Sequence, residues 1–600
     1  MENVEGGGIP AAGAAGEGDA GRRAPAEPKA GRAGLSGVLD RPAALLAVGA
    51  LLVGAVFWYL QFSTGSLCCG DYDAYYHFRW SRMLYEGMRA GHFPPSFDAL
   101  PLTTLNPRDY VDHHFLFHLL QIPFTFFRDF ETGAKVGTWL FACLAVLSCY
   151  WLMLRNRLSY PLVWLVALVG SSSPFLYRMN MGKAMSVSIV FLVVGLHLLF
   201  ERKYRWLLPL SFVFALAYDM FALLVAATLM WAFVVLWSER RVEWKPVVFV
   251  AAGSLLGFVI NPYFPHNFRL LYEHLAIKVT AKDFSTTVGS EWYPYSTWEF
   301  LGNCGVALAA MAAGYLAFRD SADRTRQRAL LLLLFSTLLM VVNMRWRRFA
   351  EYFPPFAVLF AAFALEPVIS RARARHTSRE PAEDEPLELD PRPEPARVEN
   401  ARAWELIFVA TAFVLVAAPM VWYARVTAQD IAGMAGPDYY KGGGEWLSKN
   451  AERGELIVNT DWDDFPKLFF YNPQLAYVSG LDPTYLLDKD RKLAELHAKI
   501  TIAKDLSDEE VANLGPLIRD NFCVGEGAAR RCARYVFTDH EHEDFYNDAL
   551  DSGWFDEVYT DDDCSILRIR EQKGPPPPDN APPATDGQEP ADDEPQDEQP

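Results

Sequence analysis

The chain has 600 residues and a formal net charge of −18, from 55 Lys and Arg against 73 Asp and Glu. A surplus of acid argues against a nucleic-acid partner, which needs a basic face to meet phosphates. The apolar residues fall into runs of roughly 15 to 22, the length that crosses a bilayer core at ~1.5 Å rise per residue, so the chain is a polytopic membrane protein rather than a soluble one.

In chain order, residues 1–40 are rich in Gly, Ala and Pro with scattered arginines and read as a disordered cytoplasmic tail. Those arginines stand well before the first apolar run, "AALLAVGALLVGAVFWYLQF", and no small-residue cleavage site follows it, so this run is a retained span and not a removed signal peptide. Spans are predicted near 42–62, 133–154, 160–177, 185–200, 205–218, 219–237, 245–262, 302–318, 328–344, 349–369 and 404–424, about 11 in all. With the N-terminus inside, the cytoplasmic links "RNRLS", "ERKYR", "SERRVEWK", "RDSADRTRQR" and the segment 370–403 all carry Lys or Arg. That agreement requires a tight hairpin near Tyr218 and Asp219, which splits one long apolar run in two. Four regions then share the outer side: the loop 63–132, the turn around Arg178–Lys183, the loop 263–301 and everything after about 425. "RWRR", Arg345 to Arg348, breaks the charge rule, and so marks either an error in this topology or a site that needs cations. The stretch 113–127, "HHFLFHLLQIPFTFF", is too short to span comfortably and reads as an interfacial or re-entrant helix, with a full crossing as the alternative.

The membrane domain, 41–424, is followed by a small extracytoplasmic α/β domain over 425–570. Short β-like runs such as "ELIVNT", "LAYVSG", "RYVFTD" and "CSILRIR" alternate there with helical stretches. Cys523 and Cys532 flank a glycine-containing loop and suit a disulfide in an oxidising periplasm, with free thiols as the alternative. The tail, 571–600, is acidic and proline-rich and cannot bury a core. Together these features place the chain in the cell inner membrane, multi-pass, with its C-terminal domain extracytoplasmic.

Four constellations carry candidate chemistry. In "GDYDAYYHFRW", a helix starting at Asp73 would put Asp73, Tyr76, His77 and Trp80 on one face. Asp73 there could bind a divalent cation, orient an acceptor or act as a general base; a plain acidic cap with interfacial aromatics is the alternative. In "TTVGSEWYPYS", Glu291 sits in a long outer loop. In "NTDWDDFPKLFF", a strand ends in Asp461, Trp462, Asp463 and Asp464, where α/β folds place ligand contacts, and acid beside tryptophan suits a carbohydrate or peptide, with a solvated acidic turn as the alternative; "GLDPTY" follows as a turn beside it. Arg347 and Arg348, before "FAEYFPPF", could hold a pyrophosphate or carboxylate, or snorkel to headgroups. "TDHEHEDFY" has His540 and His542 but no third ligand at a set spacing, so it is a poor metal site.

Taken together, these stretches resemble the GT-C membrane glycosyltransferases, and within them the catalytic subunit of oligosaccharyltransferase. "DYDAYYHFR" is similar to that family's first-loop acidic motif, "TTVGSE" to its Thr-x-x-Glu type motif, and "RRFAEYF" to its arginine-aromatic stretch. "DWDDF" keeps Trp462 and Asp463 of the Trp-Trp-Asp-Tyr-Gly motif and loses the rest. The resemblance implies a GT-C-like helical domain and transfer of a sugar from a polyprenyl-phosphate-linked donor to a protein, glycan or lipid acceptor at the outer membrane face. It implies Asp73 and Glu291 as catalytic, Arg348, Trp462, Asp463 and His77 as substrate-binding, and Asp73, Glu291 and Asp71 as ligands of a divalent cation, Mg or Mn. One departure stands out: the family's second acidic motif falls on "SSSPFLYRMNMGKAMSVS", which has no acid and carries Lys183. A lysine could replace the cation there, or the chain could be a non-catalytic relative that binds lipid-linked glycan or a partner. A transporter fits less well, since charged and helix-breaking residues are not concentrated at mid-membrane positions.

Overall fold

The computed structural model describes residues 42–63, 65, 72–272, 289–318, 324–377, 395–503 and 506–575. The tails, Asp71 and the threonines before Glu291 lie outside the described residues. The described residues from Leu46 onward belong to one compact unit, and the first described helix enters it from Pro42.

Among the described residues, seven helices are long and apolar enough to cross a bilayer: Pro42–Phe62, Phe130–Arg155, Phe221–Glu239, Thr297–Ala317, Thr325–Arg345, Phe353–Arg373 and Leu406–Ala432. Burial separates the central helices from the peripheral ones. In Phe353–Arg373 and Phe130–Arg155 the apolar stretches are 67% and 61% buried, against 6% in Leu406–Ala432, whose exposed leucines, valines and phenylalanines suit lipid. The chain is a multi-pass membrane protein.

The four remaining predicted spans are helical but shorter or broken. Met185–Phe200, Leu207–Ala217 and Lys245–Val259 run 16, 11 and 15 residues. The last two pack closely because Gly253 and Gly257 lie four apart: a Cβ on Gly253 would come within 2.2 Å of the Leu208 carbonyl oxygen. The helix does break where the hairpin is predicted: Tyr218 is extended, the chain turns, and a new helix starts at Phe221. The stretch 113–127 forms a helix, Phe115–Gln121, and a 3-10 turn, Ile122–Phe126.

The span expected over 160–177 needs correction. It is two helices, Pro161–Val169 and Ser173–Met179, bent by 84° at the break. The local chemistry explains the bend. Ser172 is extended and its hydroxyl accepts from the Phe175 N–H, and a proline stands in the first turn of the new helix, so a second helix is started and capped there.

The C-terminal region builds a mixed five-stranded sheet. Strands β1 (Leu456–Asn459) and β2 (Ala476–Tyr477) are followed by a two-stranded ribbon, β3 (Cys523–Val524) and β4 (Arg531–Cys532), and then by β5 (Tyr535–Asp539), β6 (Phe555–Thr560) and β7 (Cys564–Ile569). The order is β2-β1-β5-β7-β6, with β1 parallel to both neighbours and β7 antiparallel to β5 and β6. Cys523 and Cys532 pair across the ribbon and form the expected disulfide.

This sheet domain is sewn to the loop before it. The Tyr477 N–H donates to the Ala99 carbonyl at 2.8 Å and the Thr104 N–H to that of Tyr485 at 3.0 Å. Tyr76, Trp80 and Phe97 share one apolar core with Phe465, Phe469 and Tyr477. The helix Asp73–Ala90 is thereby fixed between the membrane helices and the sheet domain.

Candidate active site

Parallel strands β1 and β2 end side by side, and the turns after them, Asp461–Asp463 and Leu481–Asp482, line a cavity of about 540 Å³. Asn459 ties the two turns together, its amide donating to the Asp461 carbonyl at 2.6 Å and the Ser479 carbonyl at 2.9 Å. The opposite wall comes from the membrane domain: Asp73, Tyr177, Arg178, Lys183, Glu291, Trp292 and Arg347. Four expected site residues, Asp73, Glu291, Trp462 and Asp463, therefore meet around one space.

The cations of the site are arranged on the bent pair and on the 3-10 turn Arg347–Glu351. Arg178, near the end of the re-started helix, is a fork: its Nη1 donates to Glu291 at 2.8 Å and its Nε to Glu351 at 2.7 Å. Arg348 stands behind Glu291 at 3.5 Å, lies over the Trp292 ring at 4.5 Å and donates to the Tyr218 hydroxyl at 3.3 Å. Burial alone would raise the Glu291 pKa, but Arg348, Arg178 and Lys183 together hold it well below the usual carboxylate range. Lys183 reaches Asp73 at 2.8 Å. Gly182 makes this possible, because a Cβ there would sit 2.9 Å from that of Ala74 and push the turn away from the Asp73 helix.

His77 does not line the cavity, contrary to its expected substrate-binding role. Asp73, Tyr76, His77 and Trp80 do share a helical face, but from Tyr76 on that face is core: His77 is 3% exposed. Asp112 accepts from His118 Nδ1 at 2.7 Å and from Trp80 Nε1 at 3.0 Å. The other nitrogen of His118, Nε2, is then left to accept from His77 Nδ1 at 2.7 Å. Burial, with His118, Lys183 and His113 adding to it, holds His77 well below the ordinary histidine pKa, so it stays neutral and fixes the helix. Arg348 supports Glu291, and Arg178 is the residue that sequence reasoning passed over. His540 and His542 bond to the Asp561 carbonyl and to Asp539, not to a common point.

Among the described residues, which do not include Asp71, the donor set does not fit the divalent cation implied by the resemblance. Asp73 is engaged by Lys183, and Glu291 by Arg178 and Arg348. Among the described residues no three His, Cys, Asp or Glu side chains converge on a point.

Lys467 clamps the two walls together. It is fully buried, donates to the Gly436 and Tyr439 carbonyls at 2.9 and 3.3 Å, and lies 4.8–4.9 Å from the ring centres of Tyr72, Tyr75 and Tyr439. Burial pushes its pKa down to about 7, with Asp563, Glu131 and Asp438 pulling the other way. The folded value lies below the unfolded one, so between about pH 7 and pH 10.4 the unfolded chain holds the extra proton. Stability from this group therefore rises with pH across that window. The expected result is a thermal midpoint that climbs between pH 7 and 9 more in the wild type than in Lys467→Met, measured in detergent by scanning fluorimetry.

No protein-family model and no curated protein sequence matches this chain. Solved structures do match in fold. The apo oligosaccharyltransferase of Archaeoglobus fulgidus is similar with a TM-score of 0.57 at 12% identity, over 88% of this chain and 75% of that one. The same enzyme tethered to an acceptor peptide containing the NVT sequon has a TM-score of 0.50 at 12% identity, over 86% and 72%. ArnT from Cupriavidus metallidurans bound to undecaprenyl phosphate scores 0.48 at 14% identity, over 89% and 99%. The chain therefore shares its fold with the oligosaccharyltransferase of Archaeoglobus fulgidus.

Proposed function

We propose that the protein is an integral-membrane glycosyltransferase that moves a sugar or oligosaccharide from a polyprenyl-phosphate-linked donor to a protein, glycan or lipid acceptor at the extracytoplasmic face of the cell inner membrane. One observation carries this: a single cavity has a carboxylate, Asp73, beside fixed cations on the membrane side and a tryptophan among acids on the sheet side. That asymmetry suits a reaction with an anionic leaving group and an acceptor that must lose a proton.

In this reaction the acceptor's nucleophilic atom attacks the anomeric carbon while the bond from that carbon to the lipid phosphate oxygen breaks. Asp73 accepts the acceptor's proton. The electron pair leaves on the phosphate, where Arg178, Lys183 and Arg347 face the developing charge; fixed cations in a poorly hydrated site act most strongly there. Trp462 offers an apolar face and Asp463 a hydrogen-bond acceptor to the incoming group. Glu291 holds the arginines in place. The Cys523–Cys532 disulfide supports an oxidising side for the sheet domain.

A second reading, a non-catalytic binder of lipid-linked glycan, draws support from the ion pairs that occupy both expected catalytic carboxylates. Incubating purified protein with polyprenyl-phosphate-linked sugars and candidate peptide, glycan and lipid acceptors separates the two. Acceptor-dependent release of polyprenyl phosphate is expected. Donor binding with no release and no glycosylated product, across the acceptor set, sinks the enzyme reading in favour of the binder.

A further inference from the structure

We propose that Lys183 is the fixed cation of this site, taking the place of a divalent metal ion, and that its pairing with Asp73 links the base to the leaving group. This inference rests on the glycosyl-transfer reading above. The geometry is a set of ion pairs: Lys183 on Asp73 at 2.8 Å, Arg178 on Glu291 and Glu351 at 2.8 and 2.7 Å, and Arg348 on Glu291 at 3.5 Å. Three cations meet three carboxylates. A divalent ion entering between Asp73 and Glu291 would have to displace an ammonium or a guanidinium from each, adding two positive charges next to three.

The charge balance through the reaction favours the lysine. As the acceptor's proton passes to Asp73, that carboxylate becomes neutral and Lys183 loses its counter-charge. In the same step the bond from the anomeric carbon to the phosphate oxygen breaks, and the phosphate gains one negative charge. Lys183 can turn from the neutral acid to the phosphate, so the network stays balanced without a metal. The turn that carries it is built to hold this position. The Gln61 Nε2 donates to the Asn180 backbone carbonyl at 2.7 Å and to the Asn180 Oδ1 at 3.0 Å, and Gly182 lets the turn touch the Asp73 helix. Lys183 is thus a catalytic residue in its contact with the leaving phosphate.

The test uses the full-length protein in detergent and two readouts. Mn²⁺ titration followed by electron paramagnetic resonance is expected to give the same bound Mn²⁺ in wild type and Asp73→Asn, since any ions on the acidic tail are common to both. Acceptor-dependent release of polyprenyl phosphate is expected to survive EDTA, to fall about 10²–10³-fold in Lys183→Met and to be largely kept in Lys183→Arg. The arginine variant guards against simple misfolding. One equivalent of Mn²⁺ that disappears with Asp73→Asn, or activity lost to EDTA and restored by Mg²⁺ or Mn²⁺, overturns the assignment. Should no donor and acceptor pair give any transfer, the proposed function fails, and the Mn²⁺ comparison alone still decides for or against the cation assignment.

Discussion

Replacing Asp73 with Asn is expected to lower acceptor-dependent transfer by about two to four orders of magnitude and to leave the protein folded. Asparagine keeps the size of the side chain and loses its ability to take a proton. The helix that carries it is held by other contacts, the His77–His118–Asp112 chain and the aromatic core around Tyr76 and Trp80, so the backbone stays in place. Lys183 and Arg178 remain to bind the donor phosphate. The loss should therefore fall on kcat, with the KM for donor little changed. Steady-state kinetics on detergent-purified protein reads this directly. An unchanged kcat would remove Asp73 from the chemistry, whatever else the cavity does.

The second large effect is on stability. The Arg178 side chain is 9% exposed and that of Glu351 1%, and the guanidinium pairs with two carboxylates at once. Arg178→Met keeps the stem and removes the charge. Glu351 then lies buried with one carboxylate oxygen already lacking a hydrogen-bond partner. Breaking a buried pair from one side costs about 3–5 kcal/mol, so the variant should unfold well below the wild type in a thermal scan. Adding Glu351→Gln should return part of that loss, because neutralising the stranded acid lifts the desolvation penalty. A double variant no more stable than Arg178→Met would mean the fork is not what holds the re-started helix.

Much of the fold was legible from physical pattern. Apolar runs long enough for a bilayer became helices, and a break between helices falls at Tyr218, where the link charges call for one. Strands β1, β2, β5 and β7 lie within the β-like runs that predicted them. β6, "FDEVYT", was missed because acids interrupt its apolar alternation; it is the edge strand, where such charges are tolerated. The bend between Val169 and Ser173 was hidden for a different reason. "GSSSPF" does contain a cap and a proline, but the surrounding run is apolar enough to pass as one span.

The site divides in the same way. Asp73, Glu291 and the turn after β1, which line one cavity, stood out in the sequence because each is an acid among aromatics. Arg178 was not, since a single arginine at a helix end most often snorkels, and only the bend turns it inward onto Glu291 and Glu351. His77 was misjudged because helical spacing shows which residues share a face and not whether that face meets a cavity or a core. Asp71 lies outside the described residues.

The central claim is that the cavity between the Asp73 helix and the β1 turn is where a lipid-linked sugar is held and broken. A cryo-electron microscopy structure with a non-transferable polyprenyl-phosphate sugar analogue tests this most directly. The account predicts the analogue's phosphate against Lys183 and Arg178, with the anomeric carbon facing Asp73 and the space beyond it open toward Trp462. An analogue bound elsewhere on the membrane domain, with this cavity empty, would contradict it.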